Sequence, residues 1–387
     1  MAINDNDHRG LLPAGLGDLL PPDAAREAAA IDAAIERFAA FGYERVKPPL
    51  VEFEESLLGG PGAALAAQTF RLMDPVSQRM MGVRPDMTVQ VARIAVTRLK
   101  HEPRPLRLSY GGNVIRVRGS ALKPERQFAQ VGAELIGVDS ASADAEALLL
   151  AVDALRATGV AALTVDLNLP TLVASVCAGL GLAADPVRRL RRALDRKDEA
   201  AVRKAAPDAA AADTFITLLR AAGEAGRGIA ALRALALPAT AAAEIARLGE
   251  VLDLVDRADA DLPLTIDPVE YRGLEYQTGV SFSVFAVAGR QELARGGRYS
   301  AGYPEDGVSE PATGFTLYLD AVLAASTPTT PRPRLFMPVG TSWRDAADWQ
   351  AKGYATVRAV EPASDPRAEA RRLRCGHTLI DGNAVPL

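Results

Sequence analysis

The sequence predicts an α+β protein: an antiparallel sheet flanked by helices, broken by a helical insertion and followed by a small α/β tail. Short β-like runs outnumber helices between residues 43 and 136 and return over residues 264–319, with glycine-marked turns between neighbours. That texture suits antiparallel pairing rather than a doubly wound parallel sheet. Between the two blocks, residues 169–261 are rich in Ala, Leu, Arg, Asp and Glu and poor in β-branched and aromatic residues, which favours helix throughout. Beyond a Thr/Pro/Arg stretch at 326–333, short apolar runs alternate with amphipathic ones over residues 334–387.

Taken in order, residues 24–41 repeat apolar side chains at helical spacing through Ile31, Ile35 and Phe38, and Gly42 is placed to end the helix. The following segment carries Pro48 and Pro49, which keep it at a sheet edge or an interface. Strands are expected at 70–73, 106–110, 113–117 and 126–136, with Gly111 and Gly112 as a turn and a helix over 87–99. A helix at 141–159 and a strand at 163–167 precede the insertion. In the tail, strands are expected at 335–339, 355–360 and 378–380, and helices at 343–351 and 367–374. The implied division is a core of 1–168 and 262–325, an insertion of 169–261, a linker of 326–333 and a C-terminal region of 334–387.

Composition removes several function classes. Of 387 residues 49% are hydrophobic, enough for a large core, and the formal net charge is -4. No global positive field draws such a chain to nucleic acid or an anionic membrane, so neither is expected as a partner. The N-terminal MAINDNDHRG is polar, and no run approaches about 18 apolar residues, so a soluble protein is expected. Cys177 and Cys375 form no CxxC spacing, which argues against zinc or disulfides and fits a reducing cytoplasm. His8, His101 and His377 have no neighbour at metal-ligand spacing or beside a nucleophile, so no metal is expected. No phosphate-binding or dinucleotide glycine fingerprint appears, and no cofactor is expected.

The dense polar constellation lies in four separated segments. In Val83-Arg84-Pro85-Asp86-Met87-Thr88 an acid and a hydroxyl precede a helix, suited either to capping it or to holding an ammonium group. In the second, strict alternation would put Arg116 and Arg118 on one sheet face, and Gln130 and Glu134 on one face of the return strand. Polar groups on a face that should be packed imply a ligand pocket, or else a structural Arg–Glu ion pair. The third segment is Tyr271-Arg272-Gly273-Leu274-Glu275-Tyr276-Gln277, and the fourth Ala294-Arg295-Gly296-Gly297-Arg298-Tyr299. Paired glycines let a backbone approach a ligand, and equally suit a hairpin. The arginines at 188, 189, 191 and 192 on the insertion read as a solvated helix face rather than a phosphate site, because Asp195, Asp198 and Glu199 soon follow.

In this order the four segments resemble the catalytic core of histidyl-tRNA synthetase, a class II synthetase fold on an antiparallel sheet, over residues 10–325. The second segment resembles the family's motif 2. Arg272 to Gln277 and Gly296 to Ser300 resemble its Arg-Gly-Leu-Asp-Tyr-Tyr and Gly-Gly-Arg-Tyr-Asp signatures. The resemblance implies a histidine pocket of Asp86, Thr88, Arg116, Gln130, Glu134, Arg272, Tyr276 and Tyr299, with Gln277 in place of a tyrosine. It also implies a failed ATP site. Motif 3 ends Gly-Phe-x-x-Gly-x-Glu-Arg in the family, but this chain has Tyr318 for the second glycine and Ala321 for the arginine, and Arg118 replaces a motif 2 glutamate. Loss of one positioned charge of this kind costs a factor of about 10³ in catalysis.

A synthetase core with a histidine pocket, no ATP site and a tail shorter than an anticodon-binding domain is similar to the regulatory partner of short-form ATP phosphoribosyltransferase, the first enzyme of histidine biosynthesis. That similarity implies no catalytic residues in this chain, a homodimer within a hetero-oligomer, a separate catalytic subunit as partner, and L-histidine as effector. A histidine-binding paralogue serving another protein, and an active synthetase, are the competing readings. Whether histidine would sit in the synthetase-like pocket or at a subunit interface is open from the sequence.

Overall fold

A strand of alternating residues can be buried on both faces only if helices cover both sides of its sheet, and the strand over residues 127–136 sets the architecture by this rule. In the computed structural model, residues 10–119, 124–270, 277–288, 291–303, 307–327 and 331–387 are described. The chain divides into two compact units at Thr327.

The first unit carries strands β1 (Glu44–Arg45), β2 (Val51–Phe53), β3 (Phe70–Met73), β4 (Met80–Val83), β5 (Leu106–Ile115), β6 (Gln127–Ile136), β7 (Leu163–Asn168), β8 (Gly223–Glu224), β9 (Leu264–Asp267), β10 (Gln277–Ala286), β11 (Glu292–Tyr303) and β12 (Val308–Tyr318). Nine of them form one sheet in the order β1-β5-β6-β12-β11-β10-β7-β9-β8, and β2, β4 and β3 form a small antiparallel sheet. The centre of the large sheet, from β5 to β7, is antiparallel throughout. Parallel pairs occur only towards its margins, β1 with β5 and β7 with β9. The proline-flanked segment therefore ends as the edge strand β1.

Helices α1 (Asp23–Ala40), α2 (Glu54–Leu57), α3 (Thr88–Thr97) and α4 (Ala141–Ala157) are interleaved with these strands. α1 buries Ala30, Ala34 and Phe38 at four-residue spacing, and Gly42 after it takes φ +79. The Phe38 ring meets Phe315 of β12 edge to face, with centroids 5.5 Å apart. α4 buries alanines and leucines around most of its circumference, as a helix must when it is enclosed on several sides. Ser140 caps it by accepting from the Ala143 N–H at 3.2 Å. Ala129, Val131 and Ala133 of β6 join this core. α3 packs on the opposite sheet face, where Met87, Val91 and Ala95 meet Leu108, Tyr110 and Tyr299.

The helical segment comprises α5 (Leu172–Gly179), α6 (Ala184–Asp195), α7 (Glu199–Ala205), α8 (Ala209–Arg220), α9 (Ala225–Arg233) and α10 (Ala239–Ala258), and α11 (Leu319–Ala325) follows β12. In the second unit, β13 (Arg334–Met337), β14 (Ala355–Arg358) and β15 (His377–Ile380) are parallel in the order β14-β13-β15. They are joined by α12 (Trp343–Ala351) and α13 (Pro366–Arg372), and β16 (Asn383–Pro386) pairs back on β15.

Four expectations are corrected. Gly111 and Gly112 do not turn the chain but lie inside β5, where Gly112 faces Gln130 of β6 in register. A Cβ at 112 would fall 2.6 Å from the Arg84 guanidinium, so that glycine serves close packing. β5 ends at Ile115, so Arg116 and Arg118 follow the strand instead of alternating along one face. The insertion is not all helix: β8 pairs with β9 at the sheet margin. β16 was not expected. Asp381 and Gly382, both at positive φ, form the two-residue hairpin that an Asp-Gly pair favours.

Candidate functional site

Alternation along β6 sends Ala129, Val131 and Ala133 to one core and turns Gln130 and Glu134 to the other face. There they meet the first turn of α3. One row of the sheet reads Leu108, Glu134, Gly314, Gly297 and Ser281, and the next Tyr110, Gly132, Thr316 and Arg295. Glycines beside Glu134 leave a depression into which its carboxylate reaches. A Cβ on Gly314 would collide with that carboxylate, and one on Gly132 would fall 2.5 Å from the Tyr110 hydroxyl. The result is a cleft of about 290 Å³, lined among others by Asp86, Thr88, Arg116, Glu134, Gln277, Arg295, Tyr299, Thr316 and Tyr318. Its size suits a ligand of amino-acid dimensions, since pockets for drug-sized molecules start at about 300 Å³.

Glu134 is 1% exposed. Tyr110 donates to one of its oxygens at 3.2 Å and Tyr299 to the other at 3.0 Å. The Tyr110 hydroxyl also meets Thr316 at 2.8 Å and Thr88 at 3.0 Å. Burial disfavours the carboxylate more than these hydroxyls favour it, and the Glu134 pKa is pushed up to about 8. Burial likewise raises Tyr110 well above the usual phenol range and Tyr318 to about 12.

Of the two tasks considered for it, Asp86 takes the cap. Its Oδ1 accepts from the Thr88 N–H at 2.8 Å, satisfying the start of α3, while its Oδ2 accepts from Gln130 Nε2 at 3.0 Å at the cleft wall. Gln130 Oε1 in turn accepts from the Met87 N–H at 3.2 Å. Arg84, 6% exposed, ties this turn to β5 by donating to the Asn113 carbonyl at 2.8 Å and to the Pro48 carbonyl at 3.1 Å. Arg116 stacks over the Phe128 ring at 4.9 Å and donates to the Pro85 carbonyl at 3.3 Å.

The cleft thus brings together Asp86, Thr88, Arg116, Glu134, Tyr299 and Tyr318, with Gln130 bonded behind Asp86. Arg118 is exposed and outside the lining. Ala321, 1% exposed, is packed in the main core with Leu319 and Val322 of α11. Arg272 and Tyr276 lie outside the described residues. Sequence reasoning missed Tyr110 and Thr316, and it named Arg295 within the fourth segment without giving it a role. Alternation along β12 from Gly314 through Thr316 to Tyr318 would have found Thr316, but Tyr110 is placed only by its register against Gly132. Arg295 is paired bidentately with Glu292 at 2.8 Å on both nitrogens. Among the described residues no cluster of His, Cys, Asp and Glu could hold a metal, and no helix is long and apolar enough to cross a membrane.

Comparison with known proteins accords with this geometry. Residues 15–322 match the histidyl-tRNA synthetase family. A protein of Rhodospirillum centenum named ATP phosphoribosyltransferase regulatory subunit is 55% identical over 372 residues, 96% of this chain and 95% of its own. One of the same name from Gluconobacter oxydans is 46% identical over 377 residues, 97% of each chain. In fold, the chain is similar to an ATP phosphoribosyltransferase regulatory subunit/histidyl-tRNA synthetase from Bacillus halodurans, with a TM-score of 0.81 at 24% identity over 96% of this chain and 97% of that one. A histidyl-tRNA synthetase from Nostoc gives 0.79 at 17% identity, over 98% and 92%. With a near-full-length relative at 55% identity and a synthetase-type core across residues 15–322, this chain belongs to the ATP phosphoribosyltransferase regulatory subunit family, built on the histidyl-tRNA synthetase fold.

Proposed function

We propose that this chain is the regulatory subunit of an ATP phosphoribosyltransferase, required for the first step of histidine biosynthesis and for its feedback inhibition by L-histidine. The observation that carries the reading is the 55% identity, over 96% of the chain, to a protein of that name. The partner is then a separate catalytic subunit that condenses ATP with phosphoribosyl pyrophosphate. This chain acts on it as a non-catalytic homodimer within a hetero-oligomer in the cytoplasm, with no nucleic-acid partner.

Histidine is assigned to the cleft around Glu134. Asp86 and Gln130 receive its ammonium group, Glu134 and Tyr299 its imidazole, and Arg116 its carboxylate, with Thr88 supporting the first turn of α3; Arg272 and Tyr276 complete the set. Such an arrangement of two acids and an arginine matches the charges of a zwitterion with a second, imidazole, donor. Adenylation is assigned no role. Ala321 offers no cation, the Tyr318 ring lines the cleft where the related synthetases keep a glycine, and Arg118 stands in place of an acid.

The test is an assay of the short catalytic subunit with and without this protein across a histidine titration. The reading expects activity to rise on addition and to become histidine-sensitive. It fails if neither changes while histidine-dependent ATP–pyrophosphate exchange appears.

A further inference from the structure

Successive residues of a strand face opposite sides of the sheet, and in β11 this divides Arg298 from Tyr299. Tyr299 reaches Glu134 in the cleft. Arg298, only 7% exposed, reaches the other way to Asp144 of α4, 3% exposed, with Nη2 2.8 Å from Oδ1 and Nε 3.3 Å from Oδ2. It also donates to the Val138 carbonyl at 3.1 Å and the Ser140 carbonyl at 3.2 Å. Arg247 of α10 joins the group, lying 3.4 Å from Asp144 and 2.9 Å from Asp139. One cluster therefore links the last helix of the inserted segment, the start of α4 and the strand that carries Tyr299.

A buried ion pair adds little net stability over a well-packed apolar pair, because desolvation offsets attraction. What it adds is direction. Direction is needed at this point, because the ladder between β10 and β11 is irregular. Register passes from Ser281 opposite Gly297 to Gln277 opposite Tyr299, so a step of two residues on β11 meets a step of four on β10. Gly297 takes φ +151 at the same place. On that side the backbone gives Tyr299 no regular neighbour, and its strand is held there by regular pairing only from β12, where Tyr299 lies opposite Ala312.

We infer that Arg298, held by Asp144, which Arg247 in turn fixes from α10, is a positioning residue that holds the Tyr299 hydroxyl on Glu134, so that helix α10 supports the ligand cleft from the far side of the sheet. The inference rests on the proposed reading of that cleft as the histidine site. Removing both partners of the buried pair avoids stranding one charge, so the variant of choice is Asp144→Leu with Arg298→Met. Arg247→Met, at a position 28% exposed, is the milder probe.

The experiment is calorimetric titration of the full chain with L-histidine, for wild type, the two probes, Tyr299→Phe, and each probe combined with Tyr299→Phe. Tyr299→Phe should weaken binding about ten-fold, the value of one hydrogen bond to a charged group. The paired variant should weaken it about as much, Arg247→Met about three-fold, and each should add less than about two-fold in the Tyr299→Phe background, the non-additivity expected of groups acting through one contact. A 3-fluorotyrosine placed at position 299 should shift its fluorine resonance in both probes, a response that general loosening elsewhere would not give. Should the paired variant not fold, the Arg247→Met cycle decides alone. Full additivity with Tyr299→Phe, or affinity within about two-fold of wild type in a folded probe, overturns the inference. A wild-type protein that binds no histidine overturns the reading of the cleft instead, while the fluorine signal still reports whether Tyr299 moves.

Discussion

Glu134→Gln is the most informative single substitution, because it keeps the shape of the side chain and removes only its titration. Burial raises the folded-state pKa of Glu134 from 4.5 to about 8. In the unfolded chain the group ionises freely near 4.5. An acid whose folded pKa is raised contributes stability that is fully present below the unfolded pKa and is lost as pH climbs through the folded one. At about 1.36 kcal/mol per pH unit, the loss between pH 4.5 and pH 8 amounts to about 5 kcal/mol. At roughly 2 °C per kcal/mol for a unit of this size, that is roughly 10 °C in Tm.

The assay is differential scanning calorimetry of wild type and Glu134→Gln at several pH values from 5 to 9 and constant ionic strength. Near pH 5 the two should melt together, since a protonated carboxyl and an amide are alike in charge. Towards pH 8.5 the variant should gain on wild type. Asp144 and Glu27 are also raised by burial, but both proteins carry them, so their contribution cancels in the difference. Saturating histidine should flatten the decline of wild type, because an imidazole N–H donated to Glu134 favours its ionised form. A Tm difference constant across the whole range would refute the reasoning, for it would mean that the carboxyl holds the same charge throughout.

Three further outcomes are expected. Gly314→Ala drives a methyl group onto the Glu134 carboxylate and to 2.6 Å from the Ala133 carbonyl; it should cost about 1–3 kcal/mol and abolish histidine binding by calorimetry. Ala321→Arg should not restore adenylation in a pyrophosphate-exchange assay. The position is 1% exposed within the main core, so the variant should instead melt well below wild type, as a charge forced into a packed site does. In the second unit, Ser342 and Asp345 form a reciprocal cap on α12, and Ser342→Ala should cost about 1 kcal/mol. Both tryptophans of the chain, Trp343 and Trp349, lie in α12, so fluorescence-detected denaturation reads that unit alone.

Elements with strong local signals were legible in the sequence. The apolar repeat of Ile31, Ile35 and Phe38 marks α1, although the fully buried line is Ala30, Ala34 and Phe38 with the two isoleucines half-buried beside it; the helix ends where Gly42 can take positive φ, and both tail helices lie where amphipathic spacing placed them. Glycine misled at Gly111 and Gly112, since the local signal for a turn and for a close approach is the same residue type, and only the Arg84 side chain packed against Gly112 decides between them. The site divides in the same way. Gln130 and Glu134 stand out as polar residues where packing is expected, and Asp86 as an acid just before a helix, whereas Tyr110 looks like an ordinary aromatic strand residue. Its part in the cleft comes from cross-strand register with Gly132 and Thr316, a long-range property that periodicity does not carry. Arg298 was legible as part of a glycine-rich signature, but its partner Asp144 lies 154 residues before it, and Arg247, which shares that aspartate, is on a helix of the inserted segment.

On the proposed reading, this cleft serves sensing rather than chemistry. A catalyst gains from binding energy only where contacts strengthen in the transition state, and here, among the described residues, those lining the cleft beyond the proposed histidine site include a tyrosine ring and an arginine already paired with Glu292. On the proposed reading, all the binding energy of histidine is then available to favour one quaternary state over another, up to its difference in affinity for the two. The protonated Glu134 sets the scale. With a pKa of about 8, the carboxyl must lose its proton before both its oxygens can accept, one of them from the imidazole N–H. At pH 7 that step costs about 1.4 kcal/mol, or about ten-fold in apparent affinity. An effector held at this reduced affinity leaves readily when its concentration falls, as feedback control requires.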